Sequence, residues 1–310
     1  MAHEVETMAY ASETPWHGLG VPVHNDLTPA QMLEKAGLDW TVDKYQTFVE
    51  VAGEKVPTPS QALVRSSDNK ILTMVSEDWN PVQNHEAFEF FNEFVMEGDM
   101  EMHTAGSLKG GTNIWALAKV KDSFTILGED RVEPYLLFSN PHQYGKCIDI
   151  RFTAIRVVCN NTLTLSLAGQ FDMMVRLNHR REFDPEMVKR TLGIARKSLG
   201  TYQEAAEFLS SKNFTADTVV DYLRTIFPAM TKKDNDILSR PATRAFEVLE
   251  TQPGAEFGKG TWWQAFNAVT YTTDHILGHS ADTRLQSAWF GGNRNRKVQA
   301  LQTALEFAGA

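Results

Sequence analysis

Two periodicities divide the chain. Short runs with an apolar residue at every second position dominate as far as about residue 180, and apolar spacing of three to four takes over beyond it. WTVDKYQTFVEV (40–51) and ALVRSSDNKILTMV (62–75) alternate or run apolar, with turn residues at Gly53-Glu54 and from Ser66 to Asn69, and they predict strands. MEMHTAGSLKG (100–110) and TNIWALAKV (112–120) flank Gly110-Gly111, which predicts a hairpin. PYLLFSN (134–140), CIDIRFTAIRVVCNN (147–161) and QFDMMVRLNHRR (170–181) supply three more strand candidates. In the last of them Phe171, Met173, Val175 and Leu177 alternate with polar or charged neighbours.

Two helices interrupt this half. Thr28-Pro29, AQMLEKA and Gly37 read as N-cap, first turn, body and stop. Asn84 caps HEAFEFFNEFVMEG (85–98), where apolar residues at 87, 88, 91, 94 and 95 form one helical stripe. After Asp184-Pro185 the pattern predicts helices over roughly 185–211, 216–227, 231–251, 261–279 and 295–308. Phe214-Thr215, Pro228 and the GGN at 291–293 punctuate them. Strands first and helices second predict an α+β fold, with a mainly antiparallel sheet and packed helices in the first half and a helical C-terminal part. The expected organisation is an N-terminal arm (1–25) without clear periodicity, a strand-rich core (26–183) and a helical region (184–310) that packs on the core or stands apart.

Composition narrows the function classes. No apolar run approaches the ~18–20 residues of a membrane span, and the opening MAHEVETMAYASETPW has neither a basic nor an apolar leader segment. Two cysteines, Cys147 and Cys159, are too few for a disulfide framework or a structural zinc site. The expectation is a cytoplasmic protein with no membrane partner and no cofactor. The net charge of −9 argues at first against nucleic acid, yet it is unevenly spread. Residues 1–145 hold 22 acidic against 9 basic side chains, a balance of −13, and residues 146–310 hold 17 against 21, a balance of +4.

The sites of common chemistry are poorly matched. His275 and His279 have the i, i+4 spacing of helical metal ligands, but Ile276 stands where a metalloprotease needs its general-base glutamate. His3, His17 and His24 have no cysteine or paired carboxylates beside them, so no metal site is expected. In Gly106-Ser-Leu-Lys-Gly-Gly-Thr112 the lysine precedes the paired glycines and no helix follows, which fits a hairpin turn better than a phosphate loop. Neither a nucleophile elbow nor a dinucleotide fingerprint occurs, and Cys159 reads as a buried structural thiol. No catalytic residue is assigned.

The basic stretch from Lys146 to Tyr202 is more informative, with ten lysines and arginines against five acidic residues. Its candidate phosphate contacts are Lys146, Arg151, Arg156, Arg176, Arg180, Arg181, Lys189, Arg190, Arg196 and Lys197, with Asn160 and Asn161 as polar partners. Arg151 and Arg156 are five residues apart and face opposite sides of a regular strand, so aligning both requires a bulge or a strand end. Tyr144, Phe152 and Phe171 are candidate stacking surfaces for unpaired bases or, alternatively, core. The competing reading of the same charges is a solvated helix face that pairs with the acidic N-terminal half, within or between subunits.

WHGLG (16–20), PVQN (81–84), TAGSLKGG (104–111) and RFTAIRVVCNNTL (151–163), taken together, resemble the phage/plasmid-like family that carries domain of unknown function 932. The similarity runs from about residue 7 into the helices after 185, and RVVCNNTL is its most specific block. It implies a phage, prophage or plasmid context and brings no catalytic residues with it. In outline, a strand-rich core followed by a basic helix is similar to phage single-strand annealing recombinases. The leading expectation is an oligomeric binder of single-stranded DNA that promotes annealing or recombination. One alternative is an enzyme acting on nucleic acid or nucleotides through Asn160, Asn161, Arg156, His142 and Asp149. Another is a phage-encoded interaction or host-inhibiting protein.

Overall fold

The structure is a computed structural model that describes residues 5–11, 19–96, 98–121, 123–156, 161–164, 174–179, 200–229, 238–278 and 281–309. It is α+β, with antiparallel strands mainly in the first half and helices toward the C-terminus. The chain divides into two compact units that do not follow chain order. One comprises Met1–Lys121, Leu136–Arg151 and Met174–Thr191, and the other Asp122–Tyr135, Phe152–Met173 and Leu192–Ala310.

The first unit holds two sheets. One orders β10 (Ile148–Arg156, of which this unit holds the part up to Arg151), β9 (Asp130–Pro141, of which it holds the part from Leu136), β7 (Asn113–Val120), β6 (Met100–Leu108), β1 (Val5–Ala11) and β2 (Val21–Val23), with β12 (Met174–Leu177) paired to β10. Its pairs are antiparallel where β1 meets β6, β6 meets β7 and β10 meets β12, and the short β1–β2 pair is parallel. The other sheet is the meander β3 (Val42–Val51), β4 (Glu54–Arg65) and β5 (Ile71–Ser76). The hairpin expected at Gly110-Gly111 is present, with Leu108 opposite Asn113 and left-handed backbone at Lys109, Gly110 and Gly111. Gly106 has a different reason to be glycine: a Cβ there would lie 2.5 Å from the Thr7 carbonyl of β1. The arm itself contributes β1. Val5, Met8, Ala9, Tyr10 and Ala11 are all buried, which erases the polar alternation that would have marked a strand in the sequence.

Helix α1 (Pro29–Lys35) forms as expected, with Thr28 and Gln31 closing a capping box and Gly37 left-handed beyond its end. The single helix expected over 85–98 is two: α2 (Asn84–Glu89) and α3 (Asn92–Met96). Helical spacing of three and four puts Phe90 beside 87 and 94, at the edge of the stripe. At the tightened turn between them, where the Phe91 amide donates to the Phe88 carbonyl, Phe90 and Phe91 are both buried, each with its ring 6.0 Å from that of Phe138.

The second unit contains β8 (Phe124–Ile126) against the start of β9, and β11 (Asn161–Thr164) against the end of β10. Its helices are α4 (200–211), α5 (Ala216–Ile226), α6 (Arg240–Glu247), α7 (Trp262–Tyr271), α8 (Ala281–Phe290) and α9 (Gly292–Ala308). Helix α5 buries Val219, Tyr222, Leu223 and Ile226, one stripe at helical spacing. Helix α7 is buried on all sides from Trp262 to Thr270, and Trp263 Nε1 donates to the buried Asp130 carboxylate at 2.7 Å. A π turn, Thr272–Ile276, prolongs α7. It is fixed from α9, where Lys297 Nζ meets Asp274 Oδ1 at 2.7 Å and Asn293 donates to the Thr273 carbonyl. Among the described residues no helix is long and apolar enough to cross a membrane.

Candidate functional site

The segment Trp79-Asn-Pro-Val-Gln-Asn84 leads from β5 into α2 without forming a strand, so its polar groups must be met from elsewhere. They are met by the end of β9 and by the residues that follow β12. Asn140 Nδ2 donates to the Val82 carbonyl at 2.8 Å, and His142 Nε2 lies 2.9 Å from Asn84 Oδ1. The Asn80 amide donates to the His179 carbonyl at 2.8 Å, while His179 Nδ1 lies 3.3 Å from the Asn80 carbonyl. The His179 ring stacks on Trp79 at 4.2 Å, and the His142 ring tilts against Trp40 at 5.5 Å.

Protonation follows from these contacts. Asn84 spends both amide hydrogens on the Leu38 and Trp40 carbonyls, so its Oδ1 must accept and His142 Nε2 must carry the proton. His142 is wholly buried, and burial together with the nearby His179 holds its pKa down to about 3. Burial also lowers His179, to about 4, against the opposing pull of the Asn80 and Pro141 carbonyls. Both rings are therefore neutral at neutral pH. His142 Nδ1 is then a lone pair with no hydrogen-bond partner among the described residues.

These two histidines bracket a solvent-facing loop. Residues 143–147, between β9 and β10, are all exposed; Tyr144 is 53% accessible and Gly145 takes the left-handed turn. Lys146 and Cys147 lie on this loop. Arg176 of β12 is also exposed, opposite Asp149 in the register, one pair from the Ile148–Leu177 end at which the loop enters. An aromatic face and two cations thus collect at one end of the β10–β12 pair, and His142 and His179 tie the chain on either side of them to 79–84.

A second polar node in this unit is self-contained. Arg65, 6% exposed, donates to both oxygens of Glu6 and both oxygens of Asp68 at 2.6–3.0 Å, with its guanidinium 5.3 Å from the Trp40 ring. Ser107 of the AGSL block donates to the same Glu6. Hydrogen bonding from Arg65 holds Glu6 below its usual pKa and brings Asp68 down to about 2. Two carboxylates consume the one guanidinium, so this node offers no uncommitted cation to a ligand and joins the arm to the AGSL hairpin instead. A Cβ on Gly111 would collide with Arg65 Nη1, which gives the second glycine of the turn its purpose.

Of the residues expected to contact phosphate, Lys146 and Arg176 are solvent-facing. Arg151 requires a correction: it is buried, 4% exposed, with Nε 3.4 Å from Asp149 Oδ1, and its charge is turned inward. Arg156 pairs with Asn161 across β10 and β11. Asn160, Arg180, Arg181, Lys189, Arg190, Arg196 and Lys197 lie outside the described residues, as do His3, His17, His279 and Cys159. Phe152 is core rather than a stacking surface. The residues missed from sequence are Asn84 and His179. Asn84 sits where a helix cap is expected, and a single histidine at the end of a strand carries no pattern.

The resemblance noted from the sequence blocks can now be placed. PVQN supplies the backbone that the histidines hold, and AGSLKGG supplies Ser107 and the turn beside Arg65. No curated protein and no solved structure matches the chain. A family model matches residues 71–301, taking in PVQN, AGSLKGG and RVVCNNTL but not WHGLG. The chain belongs to the family described as domain of unknown function, DUF932.

Proposed function

We propose that this protein binds single-stranded nucleic acid, with the loop 143–147 and Arg176 as part of the contact surface. The observation that carries the reading is the exposed Tyr144 and Lys146 on one loop, with the exposed Arg176 one register pair beyond the loop's end: a ring on which a base can stack, and cations for phosphate. The charge split supports it, because the chain turns from −13 to +4 where this loop begins. The proposal extends to annealing or recombination in a phage or plasmid setting, by self-associated copies in the host cytoplasm. Binding by this surface is non-covalent, and its salt dependence reports how many phosphates are neutralised. A labelled oligothymidylate titrated with the full chain at two salt concentrations tests it. Binding that weakens steeply with salt is expected, and no binding at micromolar protein in low salt refutes it.

A second reading has one specific observation behind it. His142 Nδ1 is a lone pair without a hydrogen-bond partner among the described residues, so it is open to a proton, and burial that lowers its pKa to about 3 makes it a weak base unless a bound substrate changes its surroundings. On this reading the family is enzymatic and His142 is its base. Turnover of a nucleotide or oligonucleotide that is lost in His142→Gln, with folding intact, is the result that would favour it.

A further inference from the structure

The β3–β4–β5 meander carries a solvent-facing surface with apolar side chains at both ends, where a soluble sheet is usually polar, and the hydroxyls of Thr47, Thr58 and Ser60 between them. Alternation along β3 puts Tyr45, Val49 and Val51 on one face, and the register places Val56 opposite Val49, Ala62 opposite Tyr45, Met74 opposite Ala62, and Ile71 opposite Val64. Tyr45, Val49, Val51, Val56, Ile71 and Met74 on that face are 42–61% exposed. The opposite face is the one that packs inward at the base, through Val42, Leu63 and Val75. The β3–β4 hairpin also outruns β5, whose pairing with β4 stops at Ser60, so the tip from Phe48 to Pro57 projects as a two-stranded arm.

We infer that this face docks on the same face of a second copy of the chain, around a two-fold axis that lays the tip of one hairpin over the base of the other. Three properties select that occupant. The charged residues on the face are Asp43 and Glu54, at its two ends, so it offers no cation to a phosphate and a nucleic acid is the wrong partner. Its two ends are unlike: the tip presents valines 49, 51 and 56, and the base presents Tyr45, Met74 and Ile71, with the carboxylates of Glu54 and Asp43 at the margins. A two-fold contact pairs such unlike ends, since tip meets base twice. The exposed side chains offer on the order of 500 Å² of apolar area. With the polar rim of two long strands, that approaches the roughly 800 Å² per partner of a standard interface.

The inference stands apart from nucleic-acid binding, because a dimer through this face forms with or without a strand present. Sedimentation equilibrium of the full chain over a wide concentration range is the test, alongside the Val49→Lys/Val56→Asp variant, whose opposite charges face each other across the register. Both substituted positions are exposed, so the variant is expected to keep its circular dichroism and melting temperature. Expected is a monomer–dimer equilibrium whose dissociation constant rises at least tenfold in the variant. In a Cys147→Ser background, mixing Val51→Cys chains with Tyr45→Cys chains should give a dimer with a short bis-maleimide that neither gives alone. A chain that stays monomeric at every concentration overturns the inference. So does a dimer that the double variant leaves unchanged, because another face is then holding it.

Discussion

Lowering the pH from 7 to 5 should selectively loosen the unit that contains His142 and His179. Both rings are buried and neutral, with pKa values near 3 and 4, while in the unfolded chain each returns to about 6.5. Folded values below unfolded ones mean that the unfolded state binds more protons as pH falls, so the stability is fully present above about 6.5 and is lost below it. The loss levels off only when the folded rings themselves titrate, near 4 and then 3. At pH 5 each histidine costs about 2 kcal/mol relative to neutral pH, and the pair about 4 kcal/mol, a large share of an ordinary domain's stability. Glu6 and Asp68 also lose stabilisation with acid, but their pKa values are lowered from 4.5 and 3.8, so their contribution falls mainly below this window. Hydrogen exchange of the full chain at pH 7, 6 and 5, corrected for intrinsic rates, should show protection falling in the 79–84 and 139–142 peptides. His142→Gln and His179→Gln should each remove about half of the slope. A protection profile that is flat between pH 7 and 5, or a full slope retained in both variants, refutes the reasoning.

Two further predictions concern other buried contacts. Lys297→Met leaves Asp274, 4% exposed, without its 2.7 Å ammonium partner, and should cost about 3–5 kcal/mol in urea unfolding; adding Asp274→Leu should recover most of it, and a single variant as stable as the parent would show that the pair does not fix the π turn. Gly106→Ala sets a methyl 2.5 Å from the Thr7 carbonyl and should force β1 from β6, at about 1–3 kcal/mol; faster hydrogen exchange confined to residues 5–11 and 104–108 is the signature to look for.

How much of this was legible in the sequence varies with the kind of signal. Elements with one wet face announced themselves, as α5 did through Val219, Tyr222, Leu223 and Ile226, and as the hairpin did through Gly110-Gly111. Elements dry on both sides did not: β1 reads as an unpatterned arm, and the break at Phe90 is invisible because every phenylalanine there is equally apolar. Helix α8 went unread because ADTRLQSAWF lacks a clean stripe beside the GGN that follows it. For the site, charge alone selected Lys146, Arg176 and Arg151 alike; the first two face solvent, whereas the two-residue alternation of β10 puts Arg151 on the same face as Asp149 and it is buried there. The histidine brackets join residues 58 and 99 positions apart, and a separation of that kind leaves no local trace.

The most direct test of the nucleic-acid surface compares the salt dependence of oligothymidylate binding in the parent chain and in Lys146→Ala/Arg176→Ala. Each phosphate contact removed should lower the slope of log K against log salt by about 0.7 for a single strand, so the double variant should lose about 1.4. Replacing Tyr144 with Ala should weaken binding by about 1–3 kcal/mol without altering that slope, because stacking releases no counterions. Binding with an unchanged slope and affinity in all three substitutions would contradict the assignment of this loop, and the absence of binding in the parent chain would contradict the function.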